Sequence, residues 1–193
     1  MQEQSTIGFA LTGSFCTFGK ILPIMKVLSD IYNLLPIMSE NAYETDTKFG
    51  LAKEFVEEIQ DICGRKVLHT LQGVEPIGPQ GLVDLIVVAP CTGNSLSKLS
   101  HGITDTAVTM TCKSQLRVGR PVLIGVSTND GLGAAAENIG RLLNRKNYYF
   151  VPFGQDDPKK KPFSLTANWS LLPQAIEGAL SGRQLQPILS PIQ

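Results

Sequence analysis

Four short stretches of the chain carry polar residues small enough to surround a ligand without using a formal charge. They are "LTGSFC" (residues 11–16), "MSENA" (38–42), "APCTGNS" (89–95) and "GVSTNDG" (125–131). The hydroxyls of Thr12, Ser14, Ser39, Thr92, Ser95 and Ser127, the Asn94 amide and the bare backbone of Gly13 and Gly93 suit phosphate oxygens and flat heterocycles. They do so best beside the N–H groups that open a following helix. Cys91, Thr92 and Gly93 are small enough to let a planar ring approach the main chain. Taken singly, each stretch also reads as an ordinary turn, with Thr17, Asn94 or Ser95 capping the next helix. Capping accounts for each loop but not for four loops with one chemistry.

Covalent and metal chemistry find less support. A Cys91 nucleophile needs a base, and the nearest histidine in sequence, His101, lies one helix away; a buried, inert thiol is the simpler reading. With only two histidines, His69 and His101, a metal site with the usual ligand set is not expected. Cys16, Cys63, Cys91 and Cys112 form no CxxC pair, which argues against a zinc cluster or disulfide framework and for reduced thiols. "TGSFCTFGK" lacks the Walker A spacing, and no GxGxxG occurs, so a dinucleotide is not expected on this chain.

The elements that must position these loops follow from hydrophobic pattern. "TIGFALTG", "NLLPIMS", "VDLIVVAP" and "RPVLIGVS" read as strands leading into the four loops, with "KVLHT" and "NYYFVPFG" as weaker ones. "VDLIVVAP" is continuously apolar, as in a parallel strand covered on both faces. Helical spacing runs through Ile21, Leu22, Met25, Leu28 and Ile31, interrupted by Pro23. A second helix is expected from an N-cap at Thr47 to a stop at Gly64, and others over residues 95–100, 105–116 and 132–146. Strands alternating with helices predict an α/β fold, a doubly wound parallel sheet in a three-layer sandwich, whose ligands bind beyond the carboxyl ends of the strands. Residues 1–154 are expected to form this domain. Residues 155–193 are expected to be an ordered loop or extended arm, containing Lys159 to Lys161, followed by a short helix in "LLPQAIEGALSG" packed on the same domain.

Bulk properties set the outer limits. The 193 residues suit one domain with a sizeable core, at 42% hydrophobic and 18% charged. Seventeen basic residues balance seventeen acidic ones, so neither nucleic acid nor an anionic membrane surface is an expected partner. "MQEQSTIGFALTG" lacks the basic flank and long apolar run of a signal peptide, and no apolar stretch nears the roughly 20 residues of a membrane-spanning helix, so a cytoplasmic location is expected.

In this order, the strand ends resemble the flavoprotein family of FMN-containing cysteine decarboxylases and flavin prenyltransferases. "APCTGNSLSKLSHGITD" is similar to that family's PxSxNT…K…G…D stretch, with Thr92 on the flavin-contacting Ser, Asn94 on the Asn and Ser95 on the Thr. Lys98, Gly102 and Asp105 fall on the later positions, Thr12, Gly13 and Ser14 on the first loop, and Ser39 on the hydroxyl that holds the flavin phosphate. The resemblance implies bound FMN at these residues and a homo-oligomer. It also exposes departures. The decarboxylase branch's catalytic His falls on Glu75, with His69 too far upstream to replace it. Its PxMN element keeps only Asn129, and Ser127 stands where the prenyltransferase branch has a phosphate-holding Arg.

"GFALTGSFCTF", "VEPIGP" and "VPFGQDDPKKKPFSL" extend the resemblance to a narrower branch, in which a flavoprotein-like chain is one half of a two-subunit oxidoreductase of spore-forming bacteria. That resemblance implies a mother-cell protein acting in sporulation. Its partner subunit would carry NAD(P), and its substrate would be a small dicarboxylate. Two other readings stand beside it: a stand-alone FMN-dependent decarboxylase or prenyltransferase, and a non-catalytic flavin- or phosphate-binding assembly module.

Overall fold

A computed structural model describes residues 4–189. β1 (Thr6–Leu11) leads through a 3-10 turn at Phe15–Thr17 into α1 (Phe18–Ser29). β2 (Asn33–Met38) is followed by α2 (Glu40–Glu44), α3 (Ala52–Cys63) and α4 (Leu71–Val74). β3 (Leu85–Cys91) precedes α5 (Gly93–His101) and α6 (Ala107–Arg117). β4 (Val122–Thr128), α7 (Ala135–Leu143) and β5 (Tyr148–Phe150) come next, then β6 (Phe153–Asp157), β7 (Lys161–Ala167) and α8 (Leu172–Leu180). Among the described residues, no helix is long and apolar enough to cross a membrane.

The strands form one sheet in the order β2-β1-β3-β4-β7-β6, with β5 also pairing β4. β1, β2, β3, β4 and β5 pair in parallel, and only β7 runs antiparallel to its neighbours β4 and β6. β4 therefore forks on one side. Val122 to Ile124 pair β5, while Ser127 and Thr128, at its carboxyl end, pair β7.

Alternation along the strands builds a core on each face. Leu85, Val87 and Ala89 of β3 join Phe9, Leu11 and Leu123 under α1, α3 and α8. Ile86 and Val88 join Ala10, Ile124 and Val126 under α5, α6 and α7. Every residue of β3 is buried, which explains its unbroken apolar run. The product is the expected three-layer α/β sandwich around a central, mainly parallel sheet.

Several boundaries differ from the sequence reading. Thr47 pairs Gly50 in an isolated bridge, and the helix starts five residues later, at Ala52, where Asp46 accepts its N–H at 2.8 Å. "KVLHT" contributes a single bridge, Leu68 to Ile37. The helix expected from residue 132 begins at Ala135. The stretch expected as a loop or arm is the β6–β7 hairpin, because the last four residues of β7, Ser164 to Ala167, are buried where it joins the sheet.

Candidate functional site

The loops leaving β1, β2, β3 and β4 meet at one end of the sheet, tied by side chain to main chain hydrogen bonds. Thr12, 1% exposed, is the hub: its Oγ1 donates to the Pro90 carbonyl at 2.7 Å and accepts the Thr92 N–H at 3.0 Å. One hydroxyl thus fixes the β1 loop against the β3 loop. Thr92 caps α5, its Oγ1 accepting from the Ser95 N–H at 3.3 Å, so the cap is Thr92 and not Asn94 or Ser95. Asn94 is exposed on the first turn. Ser39 caps α2 through the Ala42 N–H at 3.4 Å, and its own N–H reaches the Leu11 carbonyl at 3.1 Å.

Ser14, Thr17 and Ser127 form a triangle of hydroxyls, with oxygens 2.8 Å apart between Ser14 and Ser127 and 3.0 Å apart in the other two pairs. The Thr17 hydroxyl does not cap α1 as expected; it joins this triangle, which links the β1 loop to β4. Gly93 lies so close to the β4 loop that a Cβ there would sit 2.7 Å from Thr128 Oγ1 and 2.9 Å from Asp130 Oδ1.

Two adjoining cavities open here, sharing Gly13 and Thr92. The first, about 430 Å³, is walled by the hydroxyls of Thr12, Ser39, Thr92 and Ser95 and by Lys98. Lys98 Nζ lies 2.9 Å from both oxygens of Asp105, and this hydrogen bond holds the Asp105 carboxyl below the usual carboxylate range. Glu40 also borders the cavity, with its carboxylate accepting the Ala107 N–H at 3.3 Å. The second, about 290 Å³, is bounded by Phe15, Phe49, Gly93 and Ser127. Together they fall in the size range of small-molecule sites. A larger cavity of about 670 Å³ lies between α1 and α3, lined by Leu22, Lys26 and Glu58, with none of the strand-end loops in its wall.

Thus Thr12, Gly13, Ser14, Ser39, Thr92, Gly93, Asn94, Ser95 and Ser127 all line this pair of cavities. Cys91 does not contribute its thiol. A register shift between Val88 and Cys91 turns the Cys91 side chain onto the face of Ile86 and Val88, where it is fully buried. Burial pushes that thiol well above its ordinary pKa, so it is a core group. His69 stacks on Tyr43 at 3.7 Å between ring centroids, outside both cavities, and Glu75 is exposed beside α4. Phe49 and Thr128 are lining residues that sequence reasoning misses. Phe49 is hidden because its segment scans as helix, and Thr128, although in a candidate loop, because only its close approach to Gly93 marks it out from Ser127.

The family model described as "Flavoprotein" matches residues 1–150, and the chain belongs to that family. The B subunit of dipicolinate synthase from Bacillus subtilis (strain 168) is 46% identical to it over 184 residues, covering 95% of this chain and 92% of the relative. The crystal structure of the dipicolinate synthase B subunit from Bacillus halodurans superposes with a TM-score of 0.90 at 44% identity, over 98% of this chain and 97% of that one. DmrB from Burkholderia xenovorans, described as a cubic protein cage for redox transfer and solved in complex with FMN, shares the fold with a TM-score of 0.68 at 16% identity, over 94% and 98% of the two chains.

Proposed function

We propose that this chain is the flavoprotein-type B subunit of a dipicolinate synthase. It would act with an A subunit that holds NAD(P), and the pair would oxidise dihydrodipicolinate to dipicolinate in the mother-cell cytoplasm during sporulation. The observation that carries the reading is the likeness to the B subunit of that enzyme over 95% of the chain. That likeness runs past the flavoprotein match, which ends at residue 150, into the β6–β7 hairpin.

The residues present fit FMN. Ser39, Thr92, Ser95 and Lys98 offer hydroxyl and ammonium donors to a phosphate, while Phe15, Phe49 and the close backbone at Gly93 suit a flat ring. FMN, when bound, supplies a two-electron acceptor or donor beside the substrate. The chain's own residues hold and orient: Thr12 locks the first and third loops, and the hydroxyl triangle fixes the fourth. Aromatising a dihydropyridine ring removes a hydride and a proton; the hydride passes to NAD(P) on the partner and the proton to solvent or a base. A homo-oligomeric flavoprotein core is part of this proposal.

A decarboxylase or prenyltransferase reading is weaker, since Glu75 lies outside the cleft and Ser127, not Arg, occupies the phosphate-holding position of the prenyltransferase branch. The test mixes the purified chain with the A subunit and follows dihydrodipicolinate-dependent reduction of NAD(P). Activity that needs both chains is expected; equal activity without this chain overturns the assignment.

A further inference from the structure

We propose that the Thr128 hydroxyl is the general base of the dihydropyridine oxidation, with the Asp130 carboxylate behind it taking up the proton. The inference rests on the function proposed above and supplies a group which that function leaves open. Aromatising the ring releases a proton as well as a hydride, and a proton leaving carbon needs an acceptor within hydrogen-bond reach.

The aromatic-walled cavity offers few acceptors. Among the described residues, its one titratable side chain is the Cys16 thiol, and its other polar side chains are hydroxyls and the Asn129 amide. The hydroxyls divide by partner. Ser14 and Ser127 bond each other and Thr17, Thr92 caps α5, and Thr47 Oγ1 accepts the Phe49 N–H at 3.2 Å. Thr128 differs from all of them: its Oγ1 donates to a carboxylate oxygen, Asp130 Oδ1. With its hydrogen committed there, the hydroxyl has only lone pairs left to offer a substrate. A hydroxyl backed by a base is the arrangement that activates an otherwise inert oxygen.

The pair is held firmly and drains outward. Thr128 ends β4, pairs Leu165 of β7, and accepts the Ser164 hydroxyl on its carbonyl at 3.3 Å. The Asp130 carbonyl accepts the N–H groups of Gly133 at 2.8 Å and Ala135 at 3.2 Å, which fixes the turn. Thr128 Oγ1 and Asp130 Oδ1 both lie against the bare backbone of Gly93, a wall of the aromatic-walled cavity. Asp130 is exposed and, among the described residues, has no ion pair, so its carboxylate can take a proton and return it to water. The charged groups nearby line an adjoining cavity of about 250 Å³ that shares Thr128: Lys20 of α1, and Lys161 and Asp156 of the hairpin, which pair at 3.1 Å.

The step balances. One saturated ring carbon gives its hydrogen, with the electron pair, to the nicotinamide on the A subunit. Its saturated neighbour gives a proton to Thr128 Oγ1, and the electron pair of that C–H bond becomes the new ring double bond. The original Thr128 hydroxyl hydrogen passes to Asp130, and from there to water.

The test uses the full chain mixed with the A subunit, dihydrodipicolinate and NAD(P), and reads kcat. Thr128→Val should lower it by roughly 100-fold or more, and Asp130→Gly by roughly 10- to 100-fold. Thr128→Ser, which keeps the hydroxyl, should stay within about 10-fold of wild type. Added formate should restore part of the rate to Asp130→Gly and none to Thr128→Val, a response that a merely structural role would not give. Asp130→Asn keeps the shape of the turn and, with Thr128→Ser, decides the point where Asp130→Gly does not fold. Wild-type rates in Thr128→Val and Asp130→Asn, a folded Asp130→Gly that formate does not rescue, or loss confined to Cys16→Ser overturns the inference. A wild-type pair that fails to oxidise the substrate removes the proposed function and the base with it; a working pair with unaffected variants removes the base alone.

Discussion

The two halves of the strand-end cleft are made by different means. In the hydroxyl-walled half, Thr12 is 1% exposed and its oxygen is committed to the main chain at Pro90 and Thr92, while Ser39 and Thr92 cap helices. In the aromatic-walled half, Phe49 is 51% exposed, and the Ser14, Thr17 and Ser127 hydroxyls bond one another. One half is set before a ligand arrives; the other has a wall that only a ligand or another subunit would cover. The contrast suits a cofactor whose phosphate fixes register and whose ring meets changing substrates.

The largest expected effect tests whether Cys91 belongs to neither half. At neutral pH iodoacetamide should alkylate exposed Cys16 at least ~100-fold faster than Cys91, whose thiol burial holds far above its ordinary pKa. Peptide mapping reads this directly, and comparable rates would place the Cys91 thiol in the cleft after all. Next, Gly93→Val inserts bulk between Thr128 and Asp130 at the boundary of the halves. It should weaken FMN binding by roughly 100-fold, equivalent to about 2.7 kcal/mol, in a flavin fluorescence titration.

Thr12→Val should lower stability by about 1–3 kcal/mol in urea, because the Thr92 N–H loses its partner and the Pro90 carbonyl keeps only the Thr12 N–H at 3.3 Å. Ser127→Ala, in the aromatic-walled half, should cost under about 1 kcal/mol by the same measure. Equal costs would dissolve the distinction between a locked and an open half. The smallest effect concerns Asp105, which Lys98 holds below its ordinary pKa. A depressed folded-state pKa means the pair's stabilisation is complete above the ordinary aspartate range and fades as pH falls through the lower folded value. Asp105→Asn should flatten that part of an acid unfolding curve, with little change at neutral pH.

Strand ends are readable because their signal is local. The buried run of β3, the stop at Gly102 (φ +71°) and the hydroxyls after each strand all lie within a few residues of one another. Nine of the ten residues singled out line the cleft, and Cys91 fails because a bulge, which alternation cannot reveal, reverses its direction. The β6–β7 hairpin is opaque for another reason. Its β7 pairs Ser127 and Thr128 across more than thirty-five residues, and its exposed half, with Lys161, scans as a charged loop. Phe49 escapes notice because "DTKFGLAKEF" has helical spacing, yet the Thr47–Gly50 bridge and Asp46 stop the helix short of it.

The fork in β4 has a consequence for how this architecture can diversify. Its first half is bound to β5 and the core, while its last two residues pair the hairpin, whose turn is exposed. Insertions or exchanges at residues 158–160 therefore leave the pairing of the parallel strands untouched while redrawing the wall that carries Lys161. A chimaera that exchanges this exposed turn between family members should keep the fold.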